Sequence, residues 1–501
     1  MKTITNTKKL FIALLLSLVV TTGYSQHNAT EGTEFYVTFV NNNNLSASTP
    51  GLTCQIRYVV TEACTITAQY GDGSYLENNA VYAPGVYTLE TDKSKSYYMG
   101  ASGTSDKMIK ISSTKNISVF ALSMSVFSSD ATTILPITTL GNKYTILSNI
   151  DMPNYGGHIA VIAPTPGTTF TIRRPDNTAV LSNQNIAAYN QPYFYFEDGS
   201  NQDFTGYTVE SNHNVAVFST KICGNPAPGG GCDHNFEQMF PANTAGKEYL
   251  LWSMSPIYQS SNPAGYDSYR VVALENSTTI TRRIGAATTT ILLNENEASS
   301  ITLTPSKVTN DPYAHNSSGV IQFTSNNPFL VEHILGHAPC VKWISPVEQR
   351  VTSAVLTPFI PIGNSVIEYH QLHVMIPSGS QGFFTMKETR GGISQNVDLT
   401  FYTNITNQYY TIAYKEYAKF DDVLIELSNP AGLIAYMAGY GQAESYLFTA
   451  GVSAFNLQTY YTITTKTTPF SDVYYTDTEE NTHTFVSSDN ITLKRTIEKP
   501  F

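Results

Sequence analysis

The chain has 501 residues and a formal charge of −11, so no basic field exists to gather phosphates, and a nucleic-acid partner is excluded. Only 13% of residues are charged, while 33 tyrosines and many Thr-Thr pairs favour strands. Acidity of this size speaks of solubility more than of function.

Residues 1–25 read as a signal peptide. Lys8 and Lys9 give a basic start, LFIALLLSLVV (Leu10 to Val20) an apolar stretch, and Gly23 with Ser25 the small residues before a cleavage at Gln26. A membrane-spanning helix needs roughly 20 apolar residues, and neither this run nor any later one reaches that. The expectation is a secreted or cell-surface-associated product that does not span a membrane.

From Gln26 onward the chain repeats. Four segments share an apolar strand, a Ser-Asn-like turn and a second apolar strand: MIKISSTKNISVFALSM from Met108, YTVESNHNVAVFSTK from Tyr207, VIQFTSNNPFLVEHIL from Val320 and VLIELSNPAGLIAYMAG from Val423. Their aligned serines are Ser113, Ser211, Ser325 and Ser428, a periodicity that marks a repeat architecture. Each segment reads as a hairpin, because Asn, Pro and Ser between β-rich runs are turn chemistry. A second block recurs between them, as YRVVAL, STTITRR, TTTILLN and ASSITL from Tyr269. Links this short predict antiparallel pairing in sequence order, a meander. No segment keeps a helical period.

Counting both blocks gives an all-β chain of about eight four-stranded antiparallel blades at roughly 50 residues each. The last blade, with VLIEL, LIAYMAG and SYLFT, stops one strand short. GTEFYVTFV (Gly32 to Val40) resembles GKEYLLWSM (Gly246 to Met254) and supplies the missing strand, closing a β-propeller-like ring through the N-terminus. The alternative is four tandem β-sandwich units of about a hundred residues each. The repeats span residues 26–460, and residues 461–501 read as a polar C-terminal tail.

Five cysteines in an exported chain suggest disulfides, with one left over. Cys223 and Cys232 bracket GNPAPGGG, a loop that a bridge would pin. A second pair, Cys54 with Cys64, stays open, since a TEA turn sets Cys64 opposite Val60 or Tyr58, and bridging needs Cα atoms within about 7 Å. Cys340 is the spare.

The run CGNPAPGGGCDHNFEQMFPANTAGKEYLL (Cys223 to Leu251), preceded by NVAVFS, resembles the IgGFc-binding protein N-terminal domain family. YRVVALENSTTIT and GTEFYVTFV are similar to other recurrent phrases of that family, and the resemblance covers Gly32 to Leu457. It implies an extracellular binding module, known in mucus-associated animal proteins that bind the antibody Fc region and mucus components. The cysteine-dense repeats of those mucus proteins are missing from these residues. The expectation is therefore generic extracellular protein or glycan binding, with a mucin-like glycoprotein or an Fc-like protein as partner types.

Asp233, His234 and Glu237 form the densest polar cluster, and Glu348 in SPVEQ stands where Glu237 does in a related meander. These four are the candidate ligand-binding residues. Carboxylates from two blades at one face would suit a sugar's hydroxyls, or a general acid and base in a polysaccharide hydrolase or lyase. Against this, a Glu-Gln pair that recurs with the fold suits a loop anchor. No Ser-His-Asp order with a nucleophile elbow and no glycine-rich loop opening a helix is present, so no catalytic residues and no cofactor are assigned. A structural role in mucus, matrix or biofilm is the third reading.

His333, His337 and Cys340 have a spacing zinc uses, yet on an extended strand residues four apart lie about 13 Å from one another. His370 and His373 face opposite sides of a strand, and DGSNQD (Asp198 to Asp203) lacks the ordered acids of a calcium loop. No metal site is assigned. Asn28, Asn44, Asn116, Asn276, Asn316, Asn404 and Asn490 begin Asn-X-Ser/Thr triplets, which are glycan acceptors only in a eukaryotic host.

Overall fold

The computed structural model describes residues 28–465 except 126–127, 150–151, 154, 199–201, 225–231, 253–267, 303–319, 336–339, 363–366, 404–408, 442–443, 455–456 and 458–459. Beyond these it describes the strands 473–476, 482–485 and 497–498. The proposed signal peptide, His337, Asn316, Asn404, Asn490 and most of the GNPAPGGG loop lie outside the described residues. Among the described residues the chain is β throughout, with one short helix, Lys93–Ser96, capped by the Asp92 carboxylate on the Ser94 N–H.

The repeating unit has seven strands in two four-stranded sheets. In the first unit these are Glu31–Val37, Thr53–Val60, Cys64–Tyr70, Tyr75–Tyr82, Gly85–Glu90, Ile109–Ser125 and Ser128–Ile134. The 17-residue strand Ile109–Ser125 belongs to both sheets. Its first half pairs with Cys64–Tyr70 and Glu31–Val37, its second half with Thr53–Val60 and Ser128–Ile134. The segments read as hairpins are therefore single strands that bend and pass from one sheet to the next. Thr208–Gly224 and Leu424–Gly441 do the same, and the third unit breaks the strand in two, Val320–Ser325 and Phe329–Ile334, around Asn326, Asn327 and Pro328.

The meander is corrected as well. Only the two middle strands of the second block form a hairpin, as Thr278–Ile284 with Ala287–Leu293, while Ser268–Ala273 pairs with Ala298–Thr302 in the other sheet. The short link after Thr53–Val60 is a corner between sheets, and the next strand crosses over. Link length limits the distance a chain can travel, but it does not choose between pairing with a neighbour and turning a corner.

GTEFYVTFV does not complete the last sheet. Glu31–Val37 pairs with its own unit's long strand, Val37 opposite Ile109 and Phe35 opposite Ile111, and Ser445–Ala450 pairs with Leu424–Gly441. The resemblance to GKEYLLWSM is genuine, but each such strand opens its own unit. Glycine explains the motif: a Cβ at Gly32 would lie 2.4 Å from Pro136 Cβ, and one at Gly246 would lie 2.4 Å from Pro346 Cβ. Three residues on, the Tyr249 hydroxyl donates to the Phe329 carbonyl and accepts from the Gly246 N–H, as Tyr144 does with Val215 and Gly141.

The arrangement thus has four two-sheet units, the alternative read from the sequence, and they are not separate beads. Their last strands, Ser128–Ile134, Asp233–Gln238, Val341–Trp343 and Ser445–Ala450, adjoin in cyclic order around a common centre. The apolar core follows the same logic. Val59, Phe120 and Leu122 of the first unit share one cluster with Leu372, Val374 and Phe448 of the fourth, and Trp252 of the third packs with Tyr436. Where the ends of the ring meet, the Ala29 N–H donates to the Val452 carbonyl at 2.7 Å.

Candidate functional site

Pro136, Pro241, Pro346 and Gly451 follow one another at 105-residue intervals just past the inner strands, and they set the register of everything at the centre. Counting back four residues aligns Thr132, Glu237, Lys342 and Leu447. The structure brings three of these together. The Glu237 carboxylate accepts from Lys342 Nζ at 2.6 Å and from the Thr132 hydroxyl at 3.1 Å. Glu237 is 3% exposed and Lys342 fully buried, so this is a dry ion pair between the second and third units. Burial lifts the Glu237 carboxyl above the ordinary range, and Lys342 pulls it back.

Asp233 is equally sealed. Its Oδ1 accepts from the N–H groups of Ser129 at 2.8 Å and His234 at 2.7 Å, which ties the second unit's inner strand to the first. Asp130 reciprocates by accepting from the Phe236 N–H at 3.0 Å. Glu444, from the fourth unit, faces Asp233. Burial pushes Asp233 well above the carboxylate range, with Glu444 and Asp130 adding to it. Glu444 is raised to about 8, chiefly by burial. Both shifts favour the protonated carboxyl, which is how two acids share a dry site.

His234 is fully buried, its Nδ1 donating to the Lys221 carbonyl at 2.8 Å, and burial drives its pKa down to about 3. It is a neutral, packed imidazole stacked near Phe236. Glu348 does not join Glu237. It follows its proline by two residues, whereas Glu237 precedes its own by four, and its Oε1 accepts from the N–H groups of Lys247 and Glu248 at 2.9 and 3.2 Å. Next to it, Gln349 accepts from the Ser453 hydroxyl and donates to the Thr244 carbonyl. Each Glu-Gln pair therefore sits where it fastens a turn or a strand.

Cys223 and Cys232 are bonded, with Cα atoms 5.1 Å apart, whereas Cys54 and Cys64 are buried free thiols and Cys340 is buried. Cys54 lies opposite Ser123 and Cys64 opposite Tyr82, so the second pair considered from the sequence faces other partners. His333 stacks on Tyr269, His373 accepts from the Trp252 indole at 3.1 Å, and His370 meets the Tyr446 hydroxyl at 2.6 Å. Asp203, at the end of DGSNQD, pairs with Arg270 of the next unit at 2.6 Å. Among the described residues no group of three His, Cys, Asp or Glu side chains is placed to hold a metal, and no helix is long and apolar enough to cross a membrane.

Sequence reasoning passed over Asp130, Lys342 and Glu444, three residues that complete the centre. The 105-residue proline spacing was the signal that exposes Lys342, since it sets Glu237 and Lys342 at one position of successive units.

No curated protein matches the chain. Among solved structures, one titled "Ca2+-stabilized adhesin helps an Antarctic bacterium reach out and bind ice" is 10% identical, over 84% of this chain and 98% of that one. Its TM-score is 0.10. The family described as IgGFc binding protein matches residues 130–471, and the chain belongs to that family.

Proposed function

We propose that the chain is a secreted, extracellular binding module that takes a protein or glycan ligand without transforming it. Membership of the IgGFc-binding family supports the extracellular binding role. The observation that carries the non-catalytic half is the sealing of the centre: Asp130, Asp233, His234, Glu237 and Lys342 are each at most 3% exposed. A pair of acids that transforms a glycan has to meet it in a concave, accessible pocket. Here the acids hold four units together, and the loops they brace are what a ligand meets.

A glycan and serum-protein array probed with the full chain tests the reading. Retained binding, with no shortening of the bound polysaccharides on prolonged incubation, is the expected result. Release of oligosaccharide products that stops in a Glu237→Gln variant would make the centre an active site and overturn it.

A further inference from the structure

Four junctions join the units, and three are filled. Each sets the first strand of one unit against the turns of the next. The residue four places after the motif glycine is Tyr36 in the first unit, Thr145 in the second and Leu250 in the third, and Val355 stands 105 residues further on in the fourth. At the first junction Tyr36 lies 6.3 Å from Tyr189, with Lys110 Nζ within 5.6 Å of both rings. At the third, Leu250 and Tyr410 pack on one apolar cluster, and Arg350 covers the ring of Tyr410 at 5.5 Å and donates to its hydroxyl. Val355 and Val86 pack on one cluster at the fourth.

The second junction lacks this filling. Thr145 replaces Tyr36, Thr208 stands for Lys110 in the strand register, and the turn that carried Tyr189 now carries Glu295 and Asn296. In place of the rings there is a cavity of about 420 Å³. Ala242 and Leu274 give it an apolar patch, and Lys143, Glu275, Asn276 and Glu295 line it with polar groups. The wall is held in place: Lys143 Nζ reaches Glu210 at 3.3 Å and Glu295 at 4.0 Å, and the Glu295 N–H donates to Asn276 Oδ1 at 3.2 Å.

We propose that this junction binds one neutral sugar residue of a glycan. Its size falls within the range of small-ligand pockets. Carboxylates accept from hydroxyls, an ammonium donates to them and a carboxamide does both, which is the mixture that vicinal hydroxyls require. The small apolar patch suits a sugar's C–H face, and two carboxylates against one ammonium repel an acidic sugar. The proposal rests on the binding-module reading and names a ligand class and a place for it.

Saturation-transfer NMR on the full chain, with galactose, N-acetylgalactosamine, glucose, mannose and sialic acid one at a time, provides the test. At least one neutral sugar should show transfer and sialic acid none. Leu274→Trp, which refills the cavity, should abolish the signal, and Lys143→Ala, an exposed side chain whose loss leaves the fold intact, should weaken binding about tenfold. Absence of transfer from every neutral sugar, or transfer that survives Leu274→Trp, overturns the site. Should the full chain and Leu274→Trp bind the same array ligand equally, the module reading stands and the junction is not its site. If the full chain binds nothing on the array, the module reading itself fails.

Discussion

Replacing Lys342 with methionine probes the centre most directly. At 2.6 Å, and with an effective dielectric of about 20, the attraction between Lys342 and Glu237 is about 6 kcal/mol. Several kcal/mol of desolvation per ion offset most of that, so the intact pair adds little net stability. Removing one partner is different, because the desolvation cost of the survivor remains. Lys342→Met leaves Glu237 with the Thr132 hydroxyl alone among side-chain partners, and the expected loss is about 3–5 kcal/mol. Glu237, already raised by burial, then loses the ammonium that pulled it back, so its carboxyl rises further. The double change Glu237→Leu with Lys342→Met should recover most of the loss. Urea unfolding followed by tryptophan fluorescence reads this directly, since Trp343 is the buried neighbour of Lys342. A single variant that loses less than about 1 kcal/mol, or a double variant worse than either single one, refutes the dry ion pair.

Stability should peak near neutral pH. His158, His234 and His370 are held to pKa values of about 4, 3 and 4, so below 6.5 the unfolded chain binds protons that the folded one refuses, and stability falls with acid. Glu444 acts in the opposite sense: between 4.5 and about 8 the folded chain keeps a proton that the unfolded one releases, so stability declines as pH rises through that window. Urea midpoints from pH 4 to 9 should show both limbs, and Glu444→Gln should make the alkaline one shallower, with Asp233 and Asp130 supplying the remainder. Gly246→Ala should cost about 1–3 kcal/mol through its clash with Pro346, and Pro346→Gly on the same chain should restore part of it. The fourth unit already carries that exchange, with Gly451 placed against Val351. Reduction of Cys223–Cys232, which closes a short loop, should lower stability by about 2.5 kcal/mol, and an unchanged thermal midpoint in reductant would contradict that.

Strand content, the four-fold repeat and the Cys223–Cys232 bridge were legible in the sequence because each is written locally, in alternation, in recurring Ser-Asn punctuation and in a bracketed loop. What was not legible depends on distant partners. Ser113 to Asn116 look the same whether the chain reverses or merely bends, and the outcome rests on which strands each half of Ile109–Ser125 meets. The phase of the repeat failed for a related reason: with equally short links on both sides, GTEFYVTFV fits the end of one unit or the start of another. Asp233, His234 and Glu237 were read as one polar cluster. Their role depended on Lys342 and Glu444, which lie 105 and more residues away in sequence.

A ring closed by a borrowed strand needs both chain ends intact, since losing either leaves a raw edge. This molecule escapes that dependence, because each seven-stranded block carries its own opening strand. Duplicating or deleting a whole block in the gene would orphan no backbone ladder of a block's seven strands. What resists a fifth block is the middle, where Lys342 must still touch Glu237 and Ser129 must still reach Asp233. The copy number is thus counted by a handful of polar side chains at the axis.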